Sequence, residues 1–336
     1  MKIAVIGAGS WGSALAWSLA SNAHEVVLWA RSANLVSEFN ATQKNERYLK
    51  DVVFPQNVMA TGDLSLALTG AQIVVLATPS AALRQTAMAM QGMLGPDSDG
   101  CKTPVVVLSK GIENDTGSLL LDVLADVLGA SERLAVLSGP NHAEEVARGM
   151  LSGTVVASAN VEVAHLLQDA FATPSFRVYT SNDVVGVQLC GAAKNIIAVA
   201  AGIAHGLGLG DNTAAMLMTR GLAEISRLVE ASGGQPQTCM GLAGMGDLIV
   251  TCTSPYSRNR GFGEYLAGGK TLEDYERDTH MVVEGARACL ALPVLAKSKG
   301  VNMPISEHVR LIVWEKKPVA EMLENILDRP LRPEFY

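Results

Sequence analysis

Short apolar, β-branched runs recur through the first half of the chain: Ile3–Ile6, Val26–Trp29, Ile73–Ala77, Val105–Ser109, Leu134–Leu137 and Thr154–Ala157, with helix-like or loop segments between them. Strands alternating with helices are the pattern of a largely parallel sheet joined by crossovers. The runs are apolar at consecutive rather than alternate positions, so helices are expected over both faces of the sheet. Beyond about Tyr179 the valine runs give way to long Ala/Leu/Met/Gly-rich stretches with helical spacing, broken at Ser232-Gly233-Gly234 and Gly268-Gly269. The pattern predicts an α/β protein: a doubly wound, largely parallel sheet domain over residues 1–180, then an all-helical domain over 181–336.

A length of 336 residues suits two domains, each large enough to bury a core. The 26 basic side chains against 33 acidic ones give a net charge of −7, with no basic cluster longer than Lys316-Lys317. That leaves no footprint for nucleic acid or an anionic membrane surface, so an anionic ligand must be met by a local site. Five cysteines (101, 190, 239, 252 and 289), odd in number and without a CxxC, point to a reducing, cytoplasmic compartment, with Cys190 and Cys252 as small core residues. The stretch Ile3–Ala23 resembles a leader, but Gly7, Gly9, Gly12 and four serines interrupt it. Val184–Ala204 carries Gln188, Lys194 and Asn195, which suits a buried helix better than a membrane span. The six histidines show no HxH or HxxxH spacing, so no metal is expected. Gly95–Thr103 reads as a surface connection.

The run Ile3–Ile6 leads into Gly7-Ala8-Gly9-Ser10-Trp11-Gly12 and then into good helix formers. A GxGxxG between a strand and a helix is a dinucleotide-binding, Rossmann-type turn: Gly7 for the tight bend, Gly9 for backbone approach to a pyrophosphate, Gly12 for helix-to-strand packing. An acidic residue at the end of the second strand would read a ribose 2′-hydroxyl, but the chain has Arg31 there. A cation suits a 2′-phosphate, so NADP(H) is expected to be preferred, with NAD(H) possible; the other reading of Arg31 is a surface loop residue. Thr78-Pro79-Ser80, Ser109-Lys110-Gly111 and Ser138-Gly139-Pro140-Asn141 follow further strands and should converge on one crevice. Lys110 is either an exposed loop residue or a donor to a substrate oxygen.

Lys194 is the lone ionisable side chain between Asp183 and His205, among small neighbours. It is either a snorkelling lysine or an ammonium whose pKa desolvation lowers toward proton transfer. Asp247, after the glycines of Gly241–Gly246, is either a helix cap or the partner of a buried lysine. Ser257-Arg258-Asn259 puts a hydroxyl, a guanidinium and an amide near a helix start, good chemistry for a phosphate; Arg260 shares that role or is solvated.

Together the blocks GAGSWG, VVVLSKGIE, LSGP, CGAAKNIIAVAAG, GLGLGDNTAAMLMTRGLAEI, GLAGMGDLIVTCTSPYSRNRGFG and VVEG span essentially the whole length, and the chain resembles the bacterial NAD(P)-dependent glycerol-3-phosphate dehydrogenases. The resemblance implies reversible reduction of dihydroxyacetone phosphate to sn-glycerol 3-phosphate for glycerophospholipid synthesis. It implies Lys194 as acid/base, with Lys110 and Asp247 beside it, and Lys110, Gly139, Asn141, Lys194, Asn195, Asp247, Ser257, Arg258 and Asn259 around the substrate. It places Ser10, Trp11, Arg31, Lys110, Ala143, Arg258, Val282 and Glu284 at the cofactor. Two positions depart from what is common in the family: Asn141-His142 stands where Ser-Phe is usual, and Gly261 follows Arg260 where a basic residue is frequent. The alternatives are another β-hydroxyacid dehydrogenase or a non-catalytic dinucleotide sensor. A homodimer is the default expectation.

Overall fold

The computed structural model describes residues 1–94, 103–129, 131–322 and 333–334. Apart from Thr103, the connection expected at 95–103 lies outside the described residues, as does Cys101.

Eight strands form one sheet: β1 (Lys2–Ile6), β2 (Glu25–Trp29), β3 (Val58–Thr61), β4 (Ile73–Leu76), β5 (Val105–Val107), β6 (Leu134–Ser138), β7 (Ser152–Ser158) and β8 (Phe176–Ser181). Their order is β8-β7-β6-β5-β4-β1-β2-β3. All six apolar runs are strands of this sheet. Pairing is parallel from β3 through β6, with Ile3 facing Val26 on one side and Ile73 on the other. The direction reverses once: β7 is antiparallel to β6, and β8 is parallel to β7.

Consecutive apolar residues are explained by two separate cores. Ile3, Val5, Val26, Leu28, Ile73 and Val75 pack against Leu15 and Leu19 of α1 (Ser10–Ser21) and against Leu167 and Phe171 of the helix Val161–Phe171. Ala4, Ile6, Val27, Val74, Leu76 and Val105 face the other way, onto Leu83, Ala87 and Met90 of Leu83–Met90 and Leu120 and Leu124 of Leu120–Leu128. The chain runs outward through β1, β2 and β3 and then returns to β4 on the other side of β1. A crevice therefore opens at the carboxyl ends of β1 and β4.

After Ser181 the chain is helical wherever regular structure is described: α2 (Val184–Gly206), α3 (Asp211–Ala231), α4 (Asp247–Thr253), α5 (Arg258–Ala267), α6 (Glu284–Ser298), α7 (Pro304–Trp314) and, between α5 and α6, the helix Leu272–Thr279. By length and composition α2 could cross a membrane, but 89% of its apolar window is buried inside the protein. Small residues let α5 lie directly on it: a Cβ on Gly202 would stand 2.0 Å from the Arg260 carbonyl oxygen, and one on Gly263 2.2 Å from that of Val199. Glu224 of α3 is buried and accepts the Ile305 N–H at 2.8 Å, capping α7; burial pushes its carboxyl up to about 7. The two halves interlock, since Val187 and Ala243 join the second sheet core, Ile112 joins the helical core, and Gln188 accepts the Leu121 N–H at 2.9 Å.

On helix propensity alone, Gly202→Ala in the middle of α2 would stabilise by about 1 kcal/mol. With the Arg260 carbonyl in the way the sign reverses, and we expect a loss of about 1–3 kcal/mol in urea unfolding. A raised unfolding midpoint would mean that the two helix backbones do not touch.

Candidate active site

The glycine turn is built as its spacing demands. Gly7 has a φ of 123°, and a Cβ on it would lie 2.8 Å from the Ala77 backbone, so β1 and β4 close on each other at their carboxyl ends. A Cβ on Gly12 would lie 2.0 Å from the Gly7 carbonyl oxygen, which keeps α1 against the turn. Gly9 differs: a Cβ there meets nothing within 4 Å, and no side chain caps the N-terminus of α1. Open space in front of uncapped helix amides is a cradle for an anion. Ser10 and Trp11 begin this helix, and Arg31 is exposed past the end of β2. Asn45, which the sequence does not single out, fastens the loop by donating to the Ala8 carbonyl at 3.0 Å and to Ser13 Oγ at 2.8 Å.

Deeper in the crevice, three charges from three elements meet. Lys110 follows β5, Lys194 lies in mid-α2, and Asp247 opens α4 after a π-helical turn over Leu242–Gly246. Asp247 is 2% exposed and Lys194 5%. One carboxylate serves both ammonium groups, with Lys194 Nζ 2.6 Å from Oδ1 and Lys110 Nζ 2.5 Å from Oδ2. Asp247 is therefore the partner of lysines rather than a cap. Lys194 also donates to Thr251 Oγ1 at 2.6 Å, and Lys110 to the Gly139 carbonyl at 2.9 Å.

Burial pushes the Lys194 ammonium down to about 8, with the positive charge of Lys110 adding to the fall and Asp247 opposing it. For Asp247, burial acts upward, but the two ammonium groups outweigh it and hold the carboxyl below its ordinary value. Two cations around one anion leave a net positive charge at neutral pH, suited to an oxygen that becomes negative.

The other expected residues divide into three sets. Asn195 and Asn259 are braces: Asn195 donates to the Lys110 carbonyl at 3.2 Å and the Gly191 carbonyl at 3.3 Å, and accepts from Asn259 at 3.0 Å, while Asn259 accepts the Gly285 N–H at 2.9 Å. Ser257 caps α5 by accepting the Arg260 N–H at 3.2 Å, which leaves its O–H to donate; Arg258 begins that helix and is exposed. Arg260 is engaged with Glu264 at 3.1 Å and the Thr253 carbonyl at 3.2 Å. Glu284, first residue of α6 and just past Val282, reaches across the crevice to Ser80, accepting its N–H at 3.2 Å and its O–H at 2.6 Å.

At the mouth, Asn141 donates to the Gly153 carbonyl at 3.0 Å, yet its Oδ1 is buried without a partner, as are Thr78 Oγ1 and His142 Nε2. Unmade bonds on buried polar atoms at the ends of β4 and β6 mark a place for a ligand to complete them. His142 packs at a tilt against Tyr256 with ring centroids 6.0 Å apart, and burial together with the nearby Lys194 charge lowers its pKa. Ala143 starts the short helix that follows. Thr251 and Ser80 had no role in the sequence reading of the proton site. The signal for Thr251 was its place four residues after Asp247, one helical turn along the same face.

Comparison with known proteins agrees with this architecture. Family models described as NAD-dependent glycerol-3-phosphate dehydrogenase N-terminus and C-terminus match residues 2–164 and 183–324. A glycerol-3-phosphate dehydrogenase [NAD(P)+] of Moorella thermoacetica is 48% identical over 98% of this chain and 96% of its own length. One from Chlorobium phaeobacteroides is 44% identical, with both chains covered in full. The crystal structure of glycerol-3-phosphate dehydrogenase from Coxiella burnetii superposes with a TM-score of 0.92 at 37% identity, covering 98% of this chain and 99% of that one. The chain therefore belongs to the NAD-dependent glycerol-3-phosphate dehydrogenase family and is an NAD(P)-dependent oxidoreductase.

Proposed function

We propose that the chain interconverts dihydroxyacetone phosphate and sn-glycerol 3-phosphate, supplying the latter for glycerophospholipid synthesis, as a cytoplasmic homodimer whose two domains divide near residue 180. The observation that carries the reading is the buried pair Lys194 and Asp247 with the half-buried Lys110 on the same carboxylate. A dinucleotide sensor has no use for a lysine held near neutrality in an apolar core, and another hydroxyacid dehydrogenase has no use for the Ser257-Arg258 helix start. The four described cysteines, all free and buried, are in keeping with the cytoplasm.

The residues present fit a nicotinamide dinucleotide. Gly7, Gly9, Ser10, Trp11 and Gly12 would hold its pyrophosphate at the uncapped start of α1, and Arg31 its 2′-phosphate, so that NADP(H) is preferred over NAD(H). Lys110, Ala143, Arg258, Val282 and Glu284 border the path from there to the proton site. When bound, the cofactor supplies or accepts the hydride.

The chain's own groups do the rest. Lys194, charged, gives its proton to the carbonyl oxygen as that oxygen becomes an alkoxide, and Asp247 and Thr251 hold the ammonium in line. Lys110 lies next to the same oxygen as a second cation. Arg258, the Ser257 hydroxyl and the amides at the start of α5 bind the phosphate, and that binding orients the reacting carbon. The open acceptor of Asn141, with Gly139 beside it, is placed for a substrate hydroxyl.

Purified protein should oxidise NADPH faster than NADH with dihydroxyacetone phosphate, and turnover should fall by about 100-fold or more with unphosphorylated dihydroxyacetone. Equal rates for the two ketones would remove Arg258 and Ser257 from substrate binding.

Lys194→Ala should cut turnover by about 10²–10⁴ while NADPH binding, followed by its fluorescence, is kept. Near-normal turnover would dismiss Lys194 as the proton donor.

Ketone reduction needs charged Lys194, so its rate should be flat below a pH of about 8 and fall above it; alcohol oxidation needs the neutral amine, so its rate should rise up to about 8 and level off. Two limbs of the same sign would show that another group titrates.

A further inference from the structure

Two thiols outside the reaction lie against the elements that carry it. Cys190 is one helical turn before Lys194 on α2, Cys239 lies in the tight turn Pro236–Met240, both are buried, and their sulfurs are 3.5 Å apart. The turn is tied to the start of α2 through Asp183, which accepts the Gln235 N–H at 2.9 Å and the Thr238 O–H at 2.5 Å. Its other side supports Gly244, where a Cβ would stand 2.2 Å from the Cys239 carbonyl oxygen. Gly244 belongs to the π-helical turn, closed by Gly246 N–H to the Gly241 carbonyl at 3.1 Å, whose next residue is Asp247.

We propose that Cys190 and Cys239 are a reversible oxidation site, joined as a disulfide by hydroperoxide, and that the bond lowers turnover by displacing Asp247; the second half of this proposal rests on the catalytic reading above. Cys239 Sγ attacks the O–O bond of hydrogen peroxide, becoming a sulfenic acid as one water leaves. Cys190 Sγ then attacks that sulfur, the S–S bond forms, and the sulfenic hydroxyl leaves with the Cys190 proton as a second water. Two thiols are oxidised and one peroxide is reduced.

The order of attack follows from the surroundings of the two thiols. Either can donate to the other, but Cys239 also has the Ser226 side chain beside it as a hydrogen-bond partner that favours its thiolate, whereas burial pushes Cys190 up. Burial pushes Cys252 and Cys289 up to about 12, leaving them protonated and poor nucleophiles. An S–S bond is about 2.05 Å long, so bonding must close about 1.5 Å of the present gap. The long helix α2 is buried along most of its length and wedged against α5 at Gly202, whereas the turn spans only the five residues Pro236–Met240, so the turn moves. Its movement takes away the support under Gly244, and Asp247 leaves the position in which it serves both lysines.

The test treats the full-length protein with hydrogen peroxide, alkylates the remaining thiols, and reads peptides by mass alongside turnover of dihydroxyacetone phosphate. The expected result is a linked Cys190–Cys239 peptide with turnover reduced about tenfold or more, both reversed by dithiothreitol. Cys239→Ser and Cys190→Ala should each keep their turnover in peroxide. Absence of the linked peptide, a link that leaves turnover unchanged, or equal loss in both variants would overturn the proposal. The link is read by mass alone, so failure of the untreated protein to reduce the ketone overturns the substrate assignment and not the disulfide.

Discussion

The structure turns on a single buried carboxylate that answers to two ammonium groups. Asp247 and Lys194 come from the helical half, and Lys110 from the end of a strand in the other half, so the interaction is at once the electrostatic centre of the crevice and a tie across the molecule. Burying the charges of Lys194 and Asp247 is unfavourable unless each is paired and hydrogen-bonded, and removing one member of such a pair costs about 3–5 kcal/mol. The surroundings meet that condition. Thr251 and the Gly139 carbonyl each take a second hydrogen from one ammonium, leaving each lysine one N–H for a ligand, and the Asn195–Asn259–Gly285 chain keeps the elements in register. Burial first, and then the second cation at Lys110, make Lys194 ready to give up its proton near neutrality, against the pull of Asp247.

Close backbone packing is the means by which the charges are held. Gly202 and Gly263 bring α2 and α5 together so tightly that the Ser257-Arg258 helix start is placed by main chain rather than by adjustable side chains. Gly7 and Gly12 do the same for β1, β4 and α1 at the glycine turn. In both places the rigid part is assembled from residues without side chains, and what a ligand meets is backbone and the few polar groups fixed upon it.

Much of this was legible in the chain itself. The six apolar runs could be read as strands because covering both faces of a sheet leaves them apolar at consecutive positions, with a polar residue only at an end of a run. The edge strands β3 and β8 escaped notice because VMAT and FRVYTS are short or half polar, as edges allow. The reversal at β7 was also invisible, since the chain between β6 and β7 is long enough to cross over or to return and no local residue decides which. Lys110, Lys194 and Asp247 stood out as charges in apolar surroundings, but their sharing of one carboxylate is a tertiary fact. For the same reason Asn195 and Asn259, suited by type to a ligand, are instead spent on each other. Asn45 and Ser80 find their partners far along the chain, where spacing carries no signal.

All eight strands are complete by Ser181, before the first residue of α2. A ribosome making this chain therefore synthesises every strand of the sheet before it begins the helical half. Until that half is made, the sheet's second face lacks Val187 and Ala243, and Lys110 has neither its carboxylate nor the helix that faces it. The nascent first half thus carries an apolar surface and a stranded cation until α4 arrives, and the arrival of α4 is also the step that creates the charge pattern of the crevice.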